Sequence, residues 1–393
     1  MPWCDCGWNL VAAEPPGRGR LERASLAVAG RFDRRVGEIV TVSSLAPRLT
    51  IAKLSAYGIS LLVYLAALGL FVGGVVLAVT TRSLLGIVFG LGSALLGFVM
   101  RPRLGKAPEE HILDRTTAPT FHGLIEEIAE SLETRSPDVV VVIDDYNAWW
   151  GVFGLRRKRV LAIGSALFVA LAPGERVALI AHELAHARNG DSSRSVIVGG
   201  AMNALREVYR ALLGGAGTLG DSLPIVEWVA RGLLWLVARP ILGLYYVLRL
   251  LLLRDSHRAE YLADALAARV AGSEAEIGVE EKLLLRSVYE TVAIRTSREE
   301  GSDLFQQLRQ AIDGVPQRER ERRRRTARLE RLQLTTTHPP TARRIELIEA
   351  RPREPGRVFL DEERSAKIDR ELAPAWLASG ARIADDSRAA MYY

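Results

Sequence analysis

The run Ala181-His182-Glu183-Leu184-Ala185-His186 sets two imidazoles four positions apart. On an α-helix that spacing is about one turn, so both rings lie on one face. Both ring nitrogens can then meet one zinc ion. Glu183, beside the first histidine, can reach a water at an open coordination position and take its proton. The pattern points to hydrolysis of a peptide bond by a zinc enzyme. The bland alternative is a surface helix with two solvated histidines, and the surroundings weigh against it. Pro173-Gly174-Glu175-Arg176 opens a helix with Pro and an acid in its first turn. Val177, Leu179, Ile180, Leu184 and Ala185 supply an apolar face, and Asn189-Gly190 is a stop signal. A packed helix needs a reason to carry two histidines.

Two histidines need one more protein ligand if a fourth position is to stay open for water. The segment Ser256-His257-Arg258-Ala259-Glu260-Tyr261-Leu262-Ala263-Asp264 is helical in pattern and places Glu260 and Asp264 on one face. Glu260 can ligate, and Asp264 can then orient a ligand histidine through its second ring nitrogen. His257, on the same turn, is the rival ligand. The bland reading of Glu260 is a salt-bridged surface glutamate.

The elements that must hold these groups lie in residues 107–194, which read as a compact α/β piece. Ala118–Leu132 has helical apolar spacing through Phe121, Leu124, Ile125, Ile128 and Leu132. Residues 138–143 (DVVVVI) contain a β-branched run that predicts a buried strand. Residues 147–153 (NAWWGVF) and Val160–Ile163 read as two strands joined by the basic turn Arg156–Arg159, and Ala166–Leu171 as a short helix before the histidine helix. Asn147–Phe153 is the candidate edge strand on which an extended substrate adds by main-chain hydrogen bonds. Trp149 and Trp150 in it also fit a membrane-interface role.

Outside this piece the chain is apolar. Ile59–Val79 carries no charge and exceeds the roughly 20 residues that cross a hydrocarbon core. Leu84–Met100 is a second uncharged run, and the two predict a helical hairpin. Basic residues lie before it (Arg31, Arg34, Arg35, Arg48, Lys53) and after it (Arg101, Arg103, Lys106), against Arg82 in the turn, so both ends are expected in the cytosol. An apolar core that begins this far along the chain is not the pattern of a cleaved signal peptide. Leu223–Leu253 is a third apolar region, interrupted by Glu227, Arg231, Arg239, Pro240 and Arg249. It fits a further span, a re-entrant pair or a helix lying on the bilayer, and at least one further embedded helix is expected there.

The 393 residues suffice for two or three domains, and hydrophobic residues make up 49% of them despite a net charge of +6. The basic excess is mostly arginine flanking apolar segments, which fits anionic lipid better than nucleic acid. The two cysteines, Cys4 and Cys6, exclude a disulfide framework and a cysteine peptidase built on the main body. Cys4-Asp5-Cys6-Gly7 looks like half of a zinc ribbon, which one pair cannot close; an upstream first pair outside this sequence would complete it. Residues 14–35 are rich in Pro, Gly and Arg and are expected to be flexible. The dense charge run at residues 317–331 fits a solvated helix or loop, with anionic lipid or a substrate gate as the other reading.

Four ordered motifs together resemble the HtpX and CAAX-prenyl-protease type of membrane zinc metallopeptidases, a gluzincin group. They are Asn147-Ala148 with Gly151; His182-Glu183-Leu184-Ala185-His186 with Asn189-Gly190-Asp191; Glu260-Tyr261-Leu262-Ala263-Asp264; and Thr337-His338-Pro339-Pro340-Thr341 with Arg344-Ile345. The resemblance covers roughly residues 50–350. It implies that His182, His186 and Glu260 hold one zinc ion, that Glu183 activates the water, and that Asp264 supports a ligand from behind. It also implies that His338 or Arg344 lies near the site, where one of them stabilises the oxyanion. His338 alternatively marks a structural turn fixed by Pro339-Pro340. The family commonly has Arg three residues before the third-ligand Glu, where this chain has His257.

The expected protein is mostly α with a small β-sheet: integral membrane helices plus a zincin-like metallopeptidase domain. Residues 1–50 form a cytosolic N-terminal segment and 51–104 a transmembrane hairpin. Residues 105–194 and 254–350 are the two parts of the catalytic domain, 195–253 a membrane insertion between them, and 351–393 a C-terminal tail. The expected activity is a plasma-membrane, multi-pass zinc endopeptidase facing the cytosol. Its expected partners are protein or peptide substrates and membrane lipid, with no nucleic acid. Quality control of membrane proteins is what the resemblance implies, and too few spans for an enclosed chamber make CAAX processing the weaker role. The rival is a non-catalytic membrane protein using zinc for structure or partner binding, for which Glu183 would have no use.

Overall fold

The structure is a computed structural model. It describes residues 50–102, 105–109, 111–188, 195–215, 224–299, 301–329 and 338–390. The Cys4–Cys6 pair, the segment 14–35, Asn189-Gly190-Asp191 and Thr337 lie outside these residues. The chain's described residues divide into two compact units, one within 50–105 and 195–255, the other within 106–188 and 256–390.

The first unit is apolar. Helix α1, Ile51–Thr80, begins at Thr50, whose hydroxyl accepts from the Lys53 amide at 3.1 Å. Helix α2, Leu84–Val99, begins at Ser83. Glycine lets the two helices touch backbone to backbone. A Cβ on Gly74 would lie 2.4 Å from Ala94 N, one on Gly90 2.6 Å from Ala78 N, and one on Gly97 2.5 Å from Ala67 O. Leu61, Leu62, Leu65, Leu68, Val88, Phe89 and Leu91 face outward. An exposed apolar face of this size is of the kind that marks membrane or partner contact. α1 is long and apolar enough to cross a membrane. With 16 residues, α2 is about 24 Å long and falls short of the ~30 Å core.

The second unit starts with helix α3, Pro119–Ser131, its proline in the first turn. Strands β1 (Val139–Ile143), β2 (Ala148–Phe153) and β3 (Lys158–Gly164) form a sheet in the order β1-β3-β2. β1 runs parallel to β3 and β2 antiparallel to it. The β2–β3 turn passes through Gly154 and Arg157, both with positive φ. Helices α4, Ser165–Ala170, and α5, Pro173–Arg188, follow.

Back in the apolar unit, Ser195–Gly199 makes one turn of π-helix ahead of α6, Gly200–Gly215. The third apolar region is a single helix, α7, Pro224–Ala271, with Pro240 inside it. Its stretch from Arg231 is the second helix long and apolar enough to cross a membrane. Arg249 donates from Nη1 to the Tyr245 hydroxyl at 2.9 Å, and Arg239 lies over the Trp235 ring at 4.1 Å, so both guanidinium groups have partners on their own helix.

Residues of α7 from Ser256 onward belong to the second unit. That unit continues with α8 (Ser273–Leu283), α9 (Arg286–Thr296), α10 (Leu304–Asp313), α11 (Gln317–Leu329), α12 (Thr341–Glu349) and α13 (Glu362–Ala389). The protein is therefore mostly helical with a small mixed sheet. One core joins Phe121 and Ile125 of α3, Leu161 and Ile163 of β3, Phe168 of α4, Ile180 and Leu184 of α5, and Leu372 and Trp376 of α13. Here the structure departs from the reading of 351–393 as a tail: α13 buries Ile368, Leu372, Trp376 and Ile383, at helical spacing, in that core. The charge run forms α11, which is laced to its neighbours: Arg324 pairs with Glu281 and Glu349, and Arg328 with Glu346.

Candidate active site and metal centre

Helix α5 is buried from Arg176 to Ala185, which is why its sequence shows no clean polar face. Its entry is fixed by Glu175, whose carboxylate accepts from the Ala172 amide at 2.7 Å and pairs with Lys282 of α8. His182 is 6% exposed and Glu183 8%. β2 packs beside α5 and is hydrogen-bonded along one side to β3; it is an edge among the described residues. The turn before β2 is held tightly. The Gly164 amide donates to Asn147 O at 2.8 Å, and a Cβ on Gly164 would lie 2.1 Å from that oxygen. Gly151 is closed over by the Phe153 ring, 2.7 Å from where its Cβ would be.

Glu260 of α7 meets both histidines. Its Oε2 lies 3.7 Å from His182 Nε2 and its Oε1 3.6 Å from His186 Nε2. The two imidazoles stand nearly perpendicular, with centroids 5.0 Å apart. Around an ion with bonds of about 2.0–2.2 Å, tetrahedral vertices lie roughly 3.3–3.6 Å apart. The two carboxylate–imidazole separations are close to that spacing and all three donors lie within 4.8 Å of one another, so the set can close on a divalent cation. Among the described residues the converging group does not include His257, which is buried at 1% exposure on the same helix as Glu260.

The other nitrogen of His182 is also engaged. Nδ1 lies 3.0 Å from Asp264 Oδ1 and 3.6 Å from Glu276 Oε1. A carboxylate at that nitrogen fixes its proton there and leaves Nε2 free to ligate. Burial alone would pull the His182 imidazole down, but the acids Asp264, Glu260 and Glu276 hold it well above the ordinary histidine range. Burial pushes the Glu276 carboxyl up to about 7 and that of Glu280 to about 8.

His338 and Arg344 fall in different places. His338 Nδ1 lies 2.6 Å from Glu260 Oε2, and its side chain is 56% exposed. Arg344 of α12 is buried. It donates from Nε to Asp264 Oδ2 at 3.0 Å and from Nη2 to Asp264 Oδ1, and its Nη1 lies 2.9 Å from Glu280 Oε1. Nη2 also sits 3.2 Å from His182 Nδ1. The cluster His182, Asp264 and Glu276 could itself gather a cation, but the Arg344 guanidinium already supplies positive charge there. Sequence reasoning missed Glu276 and Glu280. Their signal was a pair of acids one turn apart beside Ile277 and Val279, in a helix too polar on average to suggest a buried face.

A two-histidine, one-glutamate donor set on two helices beside an edge strand is that of the His₂Glu metallopeptidases. Residues 116–352 match the model of Peptidase family M48, and the chain belongs to this family. Protease HtpX of Pseudomonas putida (strain GB-1) is 27% identical over 164 residues, 40% of this chain and 54% of that protein. Protease HtpX of Xanthomonas axonopodis pv. citri (strain 306) is 24% identical over 204 residues, 50% of this chain and 69% of that protein. Protease HtpX homolog 2 of Methanosarcina mazei is 26% identical over 172 residues, 42% and 55% respectively. The chain thus matches about half the length of the Pseudomonas and Methanosarcina relatives. No solved structure matches it.

Proposed function

We propose that the chain is a membrane-bound zinc endopeptidase that cleaves membrane or membrane-associated proteins on the cytosolic side. The observation that carries this reading is the meeting of His182, His186 and Glu260 with Asp264 behind His182. His182 Nε2, His186 Nε2 and a Glu260 oxygen hold the ion. Zinc bound there supplies a Lewis acid for the scissile carbonyl and lowers the pKa of a nearby water. Glu183 takes the proton of the attacking water and delivers it to the leaving amine. Asp264 accepts from His182 Nδ1–H and keeps the ring in the ligating tautomer. The edge that β2 presents among the described residues aligns an extended peptide through main-chain hydrogen bonds. Half-exposed His338 is the better placed of the two C-terminal candidates to donate to the oxyanion developing on the attacked carbonyl. Arg344 has its guanidinium committed to Asp264 and Glu280 and acts as a positioning residue. The apolar helices, and the arginine excess around them, support attachment to an anionic bilayer.

The test is cleavage of casein by the purified chain in detergent, with and without a chelator, beside Glu183→Gln. Zinc-dependent cleavage that is lost in the variant supports the reading. Cleavage that survives Glu183→Gln removes it.

A further inference from the structure

Helix α8 carries two acids that the proposed chemistry does not use. Glu276 and Glu280 lie one turn apart and are 0% and 1% exposed. Two uncompensated carboxylates in that setting would be costly. Glu280 has a specific reason to be there. Its Oε1 stands 2.9 Å from Arg344 Nη1, while its Oε2 has no hydrogen-bond partner among the described residues. The planar guanidinium has two usable edges. The Nε and Nη2 edge grips both oxygens of Asp264, and the Nη1 corner is left for Glu280. Asp264 in turn meets His182 Nδ1 at 3.0 Å. The groups form one line running Glu280, Arg344, Asp264, His182, and each member fixes the orientation of the next.

We propose that Glu280 is a positioning residue of the metal centre, acting through Arg344 and Asp264 on the His182 ring; this rests on the metallopeptidase reading. A carboxylate gripped along both oxygens cannot rotate unless the guanidinium rotates with it. A guanidinium held at one edge alone can pivot about that edge. Glu280 removes the pivot, so the Asp264 oxygen stays on Nδ1 and Nε2 stays aimed at the site shared with His186 and Glu260. A merely structural role would instead make Glu280 a tie between α8 and α12. Lys282 provides the comparison, since it ties α8 to Glu175 at the start of α5, about two helical turns before His182 and outside the line that ends on its ring.

The experiment measures zinc affinity of the full chain in detergent, stripped of metal and titrated with zinc against a chromophoric chelator. Circular dichroism and thermal unfolding of the metal-free proteins are recorded alongside. A partner hydrogen-bonded directly to a ligating side chain changes metal affinity by roughly 10–100-fold, and Glu280 acts two contacts further out. Glu280→Gln keeps the shape and one acceptor and is expected to weaken zinc binding about threefold, and Glu280→Ala more, toward about tenfold, the lower end of the range for a direct partner of a ligand. Lys282→Met is expected to lower the unfolding temperature while leaving zinc affinity within about twofold, the scatter expected of a contact outside the donor shell. The near-isosteric Gln variant decides the matter if the Ala variant does not fold. A Glu280→Gln protein with native circular dichroism and wild-type zinc affinity overturns the positioning role, as does an equal loss of affinity in Lys282→Met. The titration needs no substrate. A wild type that binds zinc tightly but cleaves nothing refutes the peptidase reading alone.

Discussion

The two units bury opposite things. In the α1–α2 hairpin the close contacts are backbone on glycine, at Gly74, Gly90 and Gly97, while large apolar side chains face outward. In the unit that holds the candidate site, charged pairs such as Arg115–Glu126 and Arg353–Glu274 lie at the exterior, and the interior holds His182, Asp264, Glu276, Glu280 and Arg344. The bilayer attachment proposed for the hairpin accounts for the difference. Where the outside is hydrocarbon, burying a leucine gains little, so helices associate by fit and small residues set the distance. Where the outside is water, apolar burial is the driving force and can carry a buried polar cluster, provided its charges are matched. Fit governs one region and charge balance the other.

The largest effect belongs to the chemistry that the charged interior supports. Glu183→Gln is expected to reduce kcat by roughly 10²–10⁴-fold with zinc content unchanged. Steady-state kinetics and metal analysis on the same preparation check this. Next, Arg344→Met leaves Asp264 and Glu280 without their guanidinium. Breaking a buried ion pair in this way costs about 3–5 kcal/mol, read by denaturant unfolding in detergent. If charge balance does not govern this interior, the loss will be no larger than for a surface arginine such as Arg115. In the hairpin the comparison sharpens between two glycines. Gly90→Ala places a methyl 2.6 Å from Ala78 N and is expected to cost about 1–3 kcal/mol, whereas Gly92 has nothing within 4 Å, so Gly92→Ala is expected to be neutral or slightly stabilising. Equal responses would show that fit does not set the packing of α1 on α2. Smallest is Asp361→Ala, which removes the side-chain cap on the Arg364 amide, a bond of 2.7 Å. It is expected to cost about 1 kcal/mol of stability without changing activity.

Local pattern told the elements well and the second layer poorly. The helix at 119–131, the strands at 139–143, 148–153 and 158–164, and the histidine helix were legible because their apolar spacing, β-branched content and turn residues act over a few positions. The one-turn pairing with Asp264 points to Glu260 but does not separate it from His257, since sequence spacing cannot say which face of a helix meets another helix. The structure brings Glu260 to the histidines. Glu276 and Glu280 were invisible for the same reason: two acids in a polar helix ordinarily face solvent, and only the approach of α5 and α12 buries them. The C-terminal helix is hard to read from sequence because its apolar positions, Ile368, Leu372, Trp376 and Ile383, are spread among charges over about four turns.

Whether three side chains grip one ion is tested most directly by the metal content of purified protein. Elemental analysis of the wild type is expected to find one zinc per chain, falling at least ~10-fold after dialysis in both His186→Ala and Glu260→Gln. A wild type with no bound divalent cation, or full zinc retained by folded Glu260→Gln, would contradict the site.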